Sequence, residues 1–369
     1  MNVALACLLM ASISIAGCTE LKPGSDRAAQ DTCKHREPPP RPRVKGVGGT
    51  LDFVVAVHTA QFGVFATNDA GTQSNESIGF DLDDTCTGQG QGTSCIEPRW
   101  ATASHTDAME GVDNASADGP ADLSPLTAVS TVAAGTAADV LFRVRSYSGD
   151  ADDDQVDVSL YITGGLAPRA DGSRDLRWDG SDSWAIMPDS LAQPGDGGAS
   201  SLDRPRFDDS AAYVSDSVLV ARFTDIVWPS YYLIAQQPPP LHAVSEFVMA
   251  GNLQLGDHGW QLHHLMTGSR LPLSSLLPDA ARLPDQRSAG TPMFCQSPTG
   301  YASLKRQLCP YADISSTPGA VDAPCDAISA GSLLDADPAL LGGVGAPAGT
   351  LEACAGADPQ TDTCDTPDP

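Results

Sequence analysis

The sequence predicts a mainly β, antiparallel fold: a jelly-roll-like β-sandwich followed by a small helical, disulfide-stapled C-terminal region. Three observations carry this expectation. Short alternating or continuous apolar runs recur between residues 50 and 268, the patterns of half-buried and fully buried strands. Gly, Asp and Pro separate them, residues that supply turn conformations. From about residue 269 the texture changes to helical spacing, prolines and clustered cysteines.

The elements follow in order. Leu51–Val57 is a continuous apolar run, and Ile78–Asp83 alternates apolar with polar. Val140–Arg145 and Val156–Ile162 are strands whose connection, Ser148–Asp154, has hairpin-turn chemistry. Further strands are expected at Ser183–Met187, Ala212–Phe223 and Val244–Leu255. Asp257-His258-Gly259 then turns into Trp260–Leu265. Helices are expected at Leu273–Leu283, bounded by Pro272 and Pro284, at Thr299–Leu308 after Ser297-Pro298, and at Asp326–Leu334. The end, residues 356–369, is expected to be loose apart from Cys364.

At the N-terminus, Val3–Ala16 is apolar and uncharged and runs into Ile15-Ala16-Gly17-Cys18. A membrane-spanning helix needs about 20 apolar residues, so this run fits a signal-peptide core instead. Its end resembles the lipobox of bacterial prolipoproteins, which are lipidated on the cysteine and cut just before it. That implies acyl chains on Cys18, and Thr19 in place of Asp implies the outer membrane. The segment before the apolar run lacks Lys and Arg, so a plain secretory signal is the alternative. Residues 18–49 read as a tether, because Pro38-Pro39-Pro40-Arg41-Pro42-Arg43 favours extended backbone. Arg36, Arg41, Arg43 and Lys45 are a candidate contact for anionic head groups; a solvated linker is the plainer reading.

The chain of 369 residues carries a net charge of −26. Most of the acidity is Asp, which caps and turns. No basic stripe is present to neutralise phosphates, which argues against nucleic acid as a partner. A glycan or a protein remains a candidate ligand. Of ten cysteines, Cys7 leaves with the signal and Cys18 takes lipid. Cys33, Cys86, Cys95, Cys295, Cys309, Cys325, Cys354 and Cys364 form an even set, as disulfides in an exported protein require. Cys86–Cys95, across a Gly-rich loop, is the expected first pair. No CxxC pair supports zinc at these cysteines.

Several phrases occur together: Ile78–Asp84, Gly111–Ala115, Asp152–Val156, Trp178–Trp184, and Ala212-Tyr213-Val214 ahead of Leu219–Arg222. With the lipobox and the Cys-rich C-terminal region, they resemble a group of predicted outer-membrane lipoproteins from gliding, predatory soil bacteria. The resemblance spans about residues 52 to 354. It implies an exported, stable architecture and carries no activity, so no functional residue is transferred.

The candidate chemistry is carboxylate chemistry. Asp81, Asp83, Asp84, Asp113 and Asn114 are candidate calcium ligands, since calcium takes six to eight hard oxygens. The EF-hand spacing is absent. Asp in turns is the plainer reading. Asp150, Asp152, Asp153, Asp154 and Asp157 form a second cluster, read first as a solvated hairpin tip. Asp81 with Asp113 is also a candidate acid–base pair for a secreted hydrolase of polysaccharide or peptide. Trp178 and Trp184 are either a sugar-stacking platform or core packing. His258, His263 and His264 are the one histidine cluster, and on a regular strand His263 and His264 face opposite ways. No HExxH, G-x-S-x-G or P-loop is present, so no catalytic residue is assigned. The expectation is a non-enzymatic envelope lipoprotein that serves as a binding or structural module, with the hydrolase as the alternative.

Overall fold

The computed structural model describes residues 33–43, 48–62, 65–67, 73–75, 78–88, 91–103, 106–118, 140–193, 200–229, 241–282, 284–285, 288–292, 295, 300–320, 322–347, 352–354 and 362–366. The apolar N-terminal run and Cys18 lie outside them. Met1–Cys33 forms one unit and Lys34–Pro369 another, and the strands, loops and helices below all belong to the second.

The protein is mainly β, with 47% strand and 12% helix. Eight strands dominate: β1 (Leu51–Phe62), β2 (Val140–Tyr147), β3 (Asp153–Leu166), β4 (Phe207–Ser215), β5 (Val218–Pro229), β6 (Leu241–Gly256), β7 (Gly259–Pro272) and β8 (Ala327–Val344). Each pairs antiparallel with the strand before it, and β8 pairs antiparallel with β1. The sheet therefore closes into an eight-stranded barrel rather than splitting into the expected sandwich. Closure from Val54↔Ala339 to Phe62↔Ser332 joins the two outer strands and leaves neither with a free row of backbone groups.

Alternation of side chains sets what faces inward. Val140, Phe142 and Val144 of β2 enter the main core with Val55 and Val57 of β1 and Val156, Val158, Leu160 and Ile162 of β3. Leu141, Ala56 and Tyr161 point the other way, into a second buried cluster on the outer wall. A short strand, Ser183–Ile186, helps to cover that cluster, pairing antiparallel with β3 and parallel with β8. Trp178 and Trp184 pack there with ring centres 5.7 Å apart. Trp184 is 1% exposed, so it offers no face to a sugar. The stretch Ala212–Phe223 is a hairpin: Asp216 and Ser217 both have positive φ, the backbone of a tight two-residue turn.

Helices α1 (Leu273–Ala280) and α2 (Gly300–Leu308) fall where the sequence places them. They are not an appendage. Leu273, Leu276, Leu277, Tyr301, Leu304 and Leu308 join the same core as the barrel interior. The third expected helix, Asp326–Leu334, is instead the first half of β8. Its Ala and Leu content favours helix only weakly, and the pairing available between β1 and β7 overrides it. The expected loose end is anchored in part. Lys305 donates to Asp362 Oδ1 (2.5 Å), Tyr301 to Asp362 Oδ2 (2.6 Å) and Trp100 to Asp365 (2.8 Å).

The disulfides are Cys95–Cys325, Cys295–Cys354 and Cys309–Cys364, and Cys33 and Cys86 are disulfide-bonded as well. The expected Cys86–Cys95 pair does not form. Cys95 turns into the main core beside Cys325, while Gln91 closes the loop by accepting the Cys86 N–H at 3.1 Å.

Part of the expected tether is a strap held on the barrel unit. Lys34 and Arg36 pair with Glu110 at 2.6 and 2.9 Å. The Tyr213 hydroxyl donates to the Pro39 carbonyl at 2.5 Å. Arg41 donates to the Asp154 carbonyl at 2.7 Å and stacks over the Tyr213 ring. Lys34 and Arg36 thus meet an acidic side chain of the barrel unit, while Lys45 lies outside the described residues.

Candidate metal centre

A pair of glycines positions the site. Gly268 of β7 and Gly331 of β8 are directly opposite each other in the ladder. A Cβ on Gly331 would lie 2.0 Å from the Ile78 carbonyl oxygen, and one on Gly268 would lie 3.1 Å from Leu82. The notch lets segment 78–82 lie against the wall, with Phe80 buried on Val220, Val248 and Ala250. Asn114 pins the segment: its Nδ2 donates to the Ile78 carbonyl (2.8 Å), and its Oδ1 accepts the Gly331 N–H (3.0 Å) and the Ser116 hydroxyl (2.9 Å).

Three of the five sequence candidates meet here. One carboxylate oxygen each from Asp81, Asp83 and Asp113 lies within 4.8 Å of the other two. Two oxygens on opposite sides of a calcium ion stand up to about 5 Å apart, so one ion can touch all three. Asp84 is exposed, in a left-handed turn (φ 56°), and stands outside the group. Asn114 has its amide oriented by the three structural bonds above. The Cys86 sulfur lies near Asp81 and His35, but it is disulfide-bonded and has no thiolate to offer.

The surroundings use part of each carboxylate. Asp113 Oδ2 accepts the Leu82 N–H at 2.6 Å. Asp81 accepts the Asp83 N–H at 3.2 Å and a short bond from the His35 ring. Asp83 accepts the Thr85 N–H at 3.0 Å and a short bond from the Ser94 hydroxyl. Sequence reasoning missed two more carboxylates, Asp107 and Asp313, which act on this group electrostatically. It also missed Arg270, 1% exposed. Arg270 donates to Glu246 (2.6 Å), the Ser315 carbonyl (2.7 Å) and, by a short bond, the Leu82 carbonyl. Asp313 gave no local signal because it arrives from a distant loop, whereas Asp107, six residues before Asp113, was there to be read.

The electrostatics follow from burial. Desolvation raises the pKa of Asp81, offset in part by His35. Desolvation, with Asp81 and Asp313 adding repulsion, pushes Asp83 up to about 6. Asp107 is pushed up to about 8 by burial and then by Asp83, Asp313 and Asp81. Asp113, almost wholly buried, is raised well above the usual carboxylate range by desolvation and by Asp83, Asp107 and Asp313. Only a proton or a cation relieves such a group. An acid–base pair at Asp81 and Asp113 would need a cleft for substrate, whereas these residues are 8% and 2% exposed.

The other candidates separate. In the second acidic cluster, Asp153 accepts the Ser148 and Gln155 N–H groups and Asp152 accepts the Asp216 N–H, so these two order the hairpin tip. His263 and His264 sit at an irregularity of β7, with His264 in the left-handed region (φ 49°). No helix among the described residues is long and apolar enough to cross a membrane. Comparison with protein-family models, curated proteins and solved structures finds no match to this chain.

Proposed function

We propose that this protein is an exported, non-enzymatic binding or structural module, lipid-anchored through Cys18 to the outer membrane, in which Asp81, Asp83 and Asp113 hold a structural calcium ion. The observation that carries the calcium is the convergence of their oxygens within 4.8 Å, in surroundings that disfavour their unpaired charge. The ion's ligands come from two loop segments, Asp81 and Asp83 from one and Asp113 from the other, so its role is to lock these loops to each other. The disulfides support an oxidising compartment. The lipobox-like sequence supports the anchor. Glycan or protein is the ligand class proposed for the displayed barrel; acidity speaks against nucleic acid.

The test is thermal melting of the whole chain with excess calcium and with chelator. An ion at a hundredfold excess over its Kd adds about 2.7 kcal/mol, a rise of several degrees. Identical melting temperatures under the two conditions refute the calcium site. Mass spectrometry of the mature N-terminus tests the anchor, and an unmodified Cys18 refutes it.

A further inference from the structure

We propose that the cleft between α2 and the C-terminal turn binds one pyranose ring of a neutral glycan. The proposal rests on the glycan side of the ligand reading and gives it a place; it needs neither the calcium nor the anchor.

Three pieces of the fold build the cleft. Lys305 and Arg306 lie in the last turn of α2, and Cys309 and Pro310 follow in the short helical turn after it. The loop carrying Trp100 lies against that turn: the Ala103 N–H donates to the Pro310 carbonyl at 3.2 Å, and Cys95–Cys325 roots the loop in the core. The third piece is the tail turn 362–366, joined to Cys309 through Cys364. Lys305, 3% exposed, holds this turn with bonds to Asp362 Oδ1 (2.5 Å), the Thr366 hydroxyl (2.7 Å) and the Thr366 carbonyl (3.0 Å). A wall fixed in this way before any ligand arrives lowers the ordering cost of binding.

The cleft measures about 200 Å³ and is open to solvent. Clefts for drug-sized ligands run to about 300–1,000 Å³, so this one fits a single ring. Its wall holds the half-buried Trp100, Pro310, the Cys309–Cys364 disulfide, Arg306 and Thr366. Indole, proline ring and disulfide make an apolar floor. The C–H groups on one face of a pyranose carry slight positive charge, and the face of an indole is negative, so the two attract.

The polar groups suit hydroxyls. Asp365 Oδ1 accepts the Trp100 indole N–H at 2.8 Å, which orients the ring, and a carboxylate has a second oxygen to accept a sugar hydroxyl. The Arg306 guanidinium carries five N–H donors, enough to serve a ligand beside contacts within the protein. Sugar hydroxyls donate and accept, so they match a rim that offers both. Lys305 and Arg306 balance Asp362 and Asp365, which favours a neutral sugar over a uronic or sulfated one. Trp178 and Trp184, by contrast, pack on each other in the wall.

The experiment is isothermal titration calorimetry of the whole chain, in calcium, with neutral tetrasaccharides of glucose, N-acetylglucosamine and mannose at millimolar concentration. Expected are one tetrasaccharide bound per chain, affinity lower by about tenfold in Trp100→Ala and by about threefold in Arg306→Gln, and unchanged binding in Trp178→Phe. Melting curves show whether each variant folds. Trp100 also packs on the core, so Arg306→Gln, at an exposed position, keeps the test decisive. The proposal is overturned if no tetrasaccharide binds the wild-type chain, if either folded variant binds as wild type does, or if Trp178→Phe removes binding. Wild-type binding that survives both cleft variants leaves the glycan reading standing without this site, whereas absence of all binding removes both.

Discussion

Replacing Asp107 with Asn in metal-free protein is expected to stabilise the fold above neutral pH and to do nothing at pH 4. In the folded state Asp107 titrates at about 8, against 3.8 for the ordinary side chain. Between those values the unfolded chain has released the proton and the folded chain still holds it. Fewer protons are bound on unfolding, so stability falls as pH rises from about 4 and the loss is complete above about 8. The gap of about four pH units sets a ceiling near 6 kcal/mol at 1.36 kcal/mol per unit. Asp107 is not fully buried, and local relaxation and water access reduce the realised value to about 2 kcal/mol. For a chain of this size that is a rise of about 4 °C in Tm at pH 9. Asn keeps an oxygen for the Thr87 N–H, which Asp107 accepts at 2.5 Å, so the variant removes charge without removing that bond. The assay is a series of melts from pH 4 to 9 in chelator, repeated in saturating calcium, where the ion's charge shrinks the gain. A Tm difference that stays constant across pH refutes the electrostatic account of the cluster.

Three further outcomes are expected. His242, largely buried, is held near 4 by desolvation, so it contributes stability above 6.5 that is lost as pH falls through 4; His242→Gln should flatten this acid limb by up to about 3 kcal/mol in pH-dependent denaturation. Gly331→Ala should displace segment 78–82 and cost about 1–3 kcal/mol, with weakened calcium binding; unchanged chelator and calcium melts would count against the notch. Replacing both Cys95 and Cys325 with Ala opens a link across 230 residues, and guanidinium titration should show a loss of up to about 5 kcal/mol.

Local structure was legible where one local rule governs. The β2–β3 hairpin could be read from alternation and an Asp-rich turn, and α1 and α2 from their spacing and flanking prolines. Closure could not, because nothing near Ala327–Val344 says that its partner lies at β1. The small residues of β8 lack β propensity and are there for close approach, as Gly331 is for Ile78. The same limit governs the site. Asp81, Asp83 and Asp113 were visible as a local density of carboxylates, whereas Asp313 and Arg270 join it only through tertiary packing. The Cys86–Cys95 expectation failed for this reason too: proximity in sequence is a weak guide when Cys325 is nearer in space.

Barrel closure also sets the order of events in folding. β8 lies late in the chain, and both of its neighbours, β1 and β7, stay half-paired until it arrives. Pairings between distant segments form slowly, because much chain must be ordered before they form. During that interval two strand edges are open to other chains, which is the usual route to aggregation. A protein of this topology that leaves the cytoplasm as an extended chain would complete its sheet only after Ala327–Val344 had crossed. Its holding chaperones would therefore act on the far side of the membrane, on a barrel open along one seam.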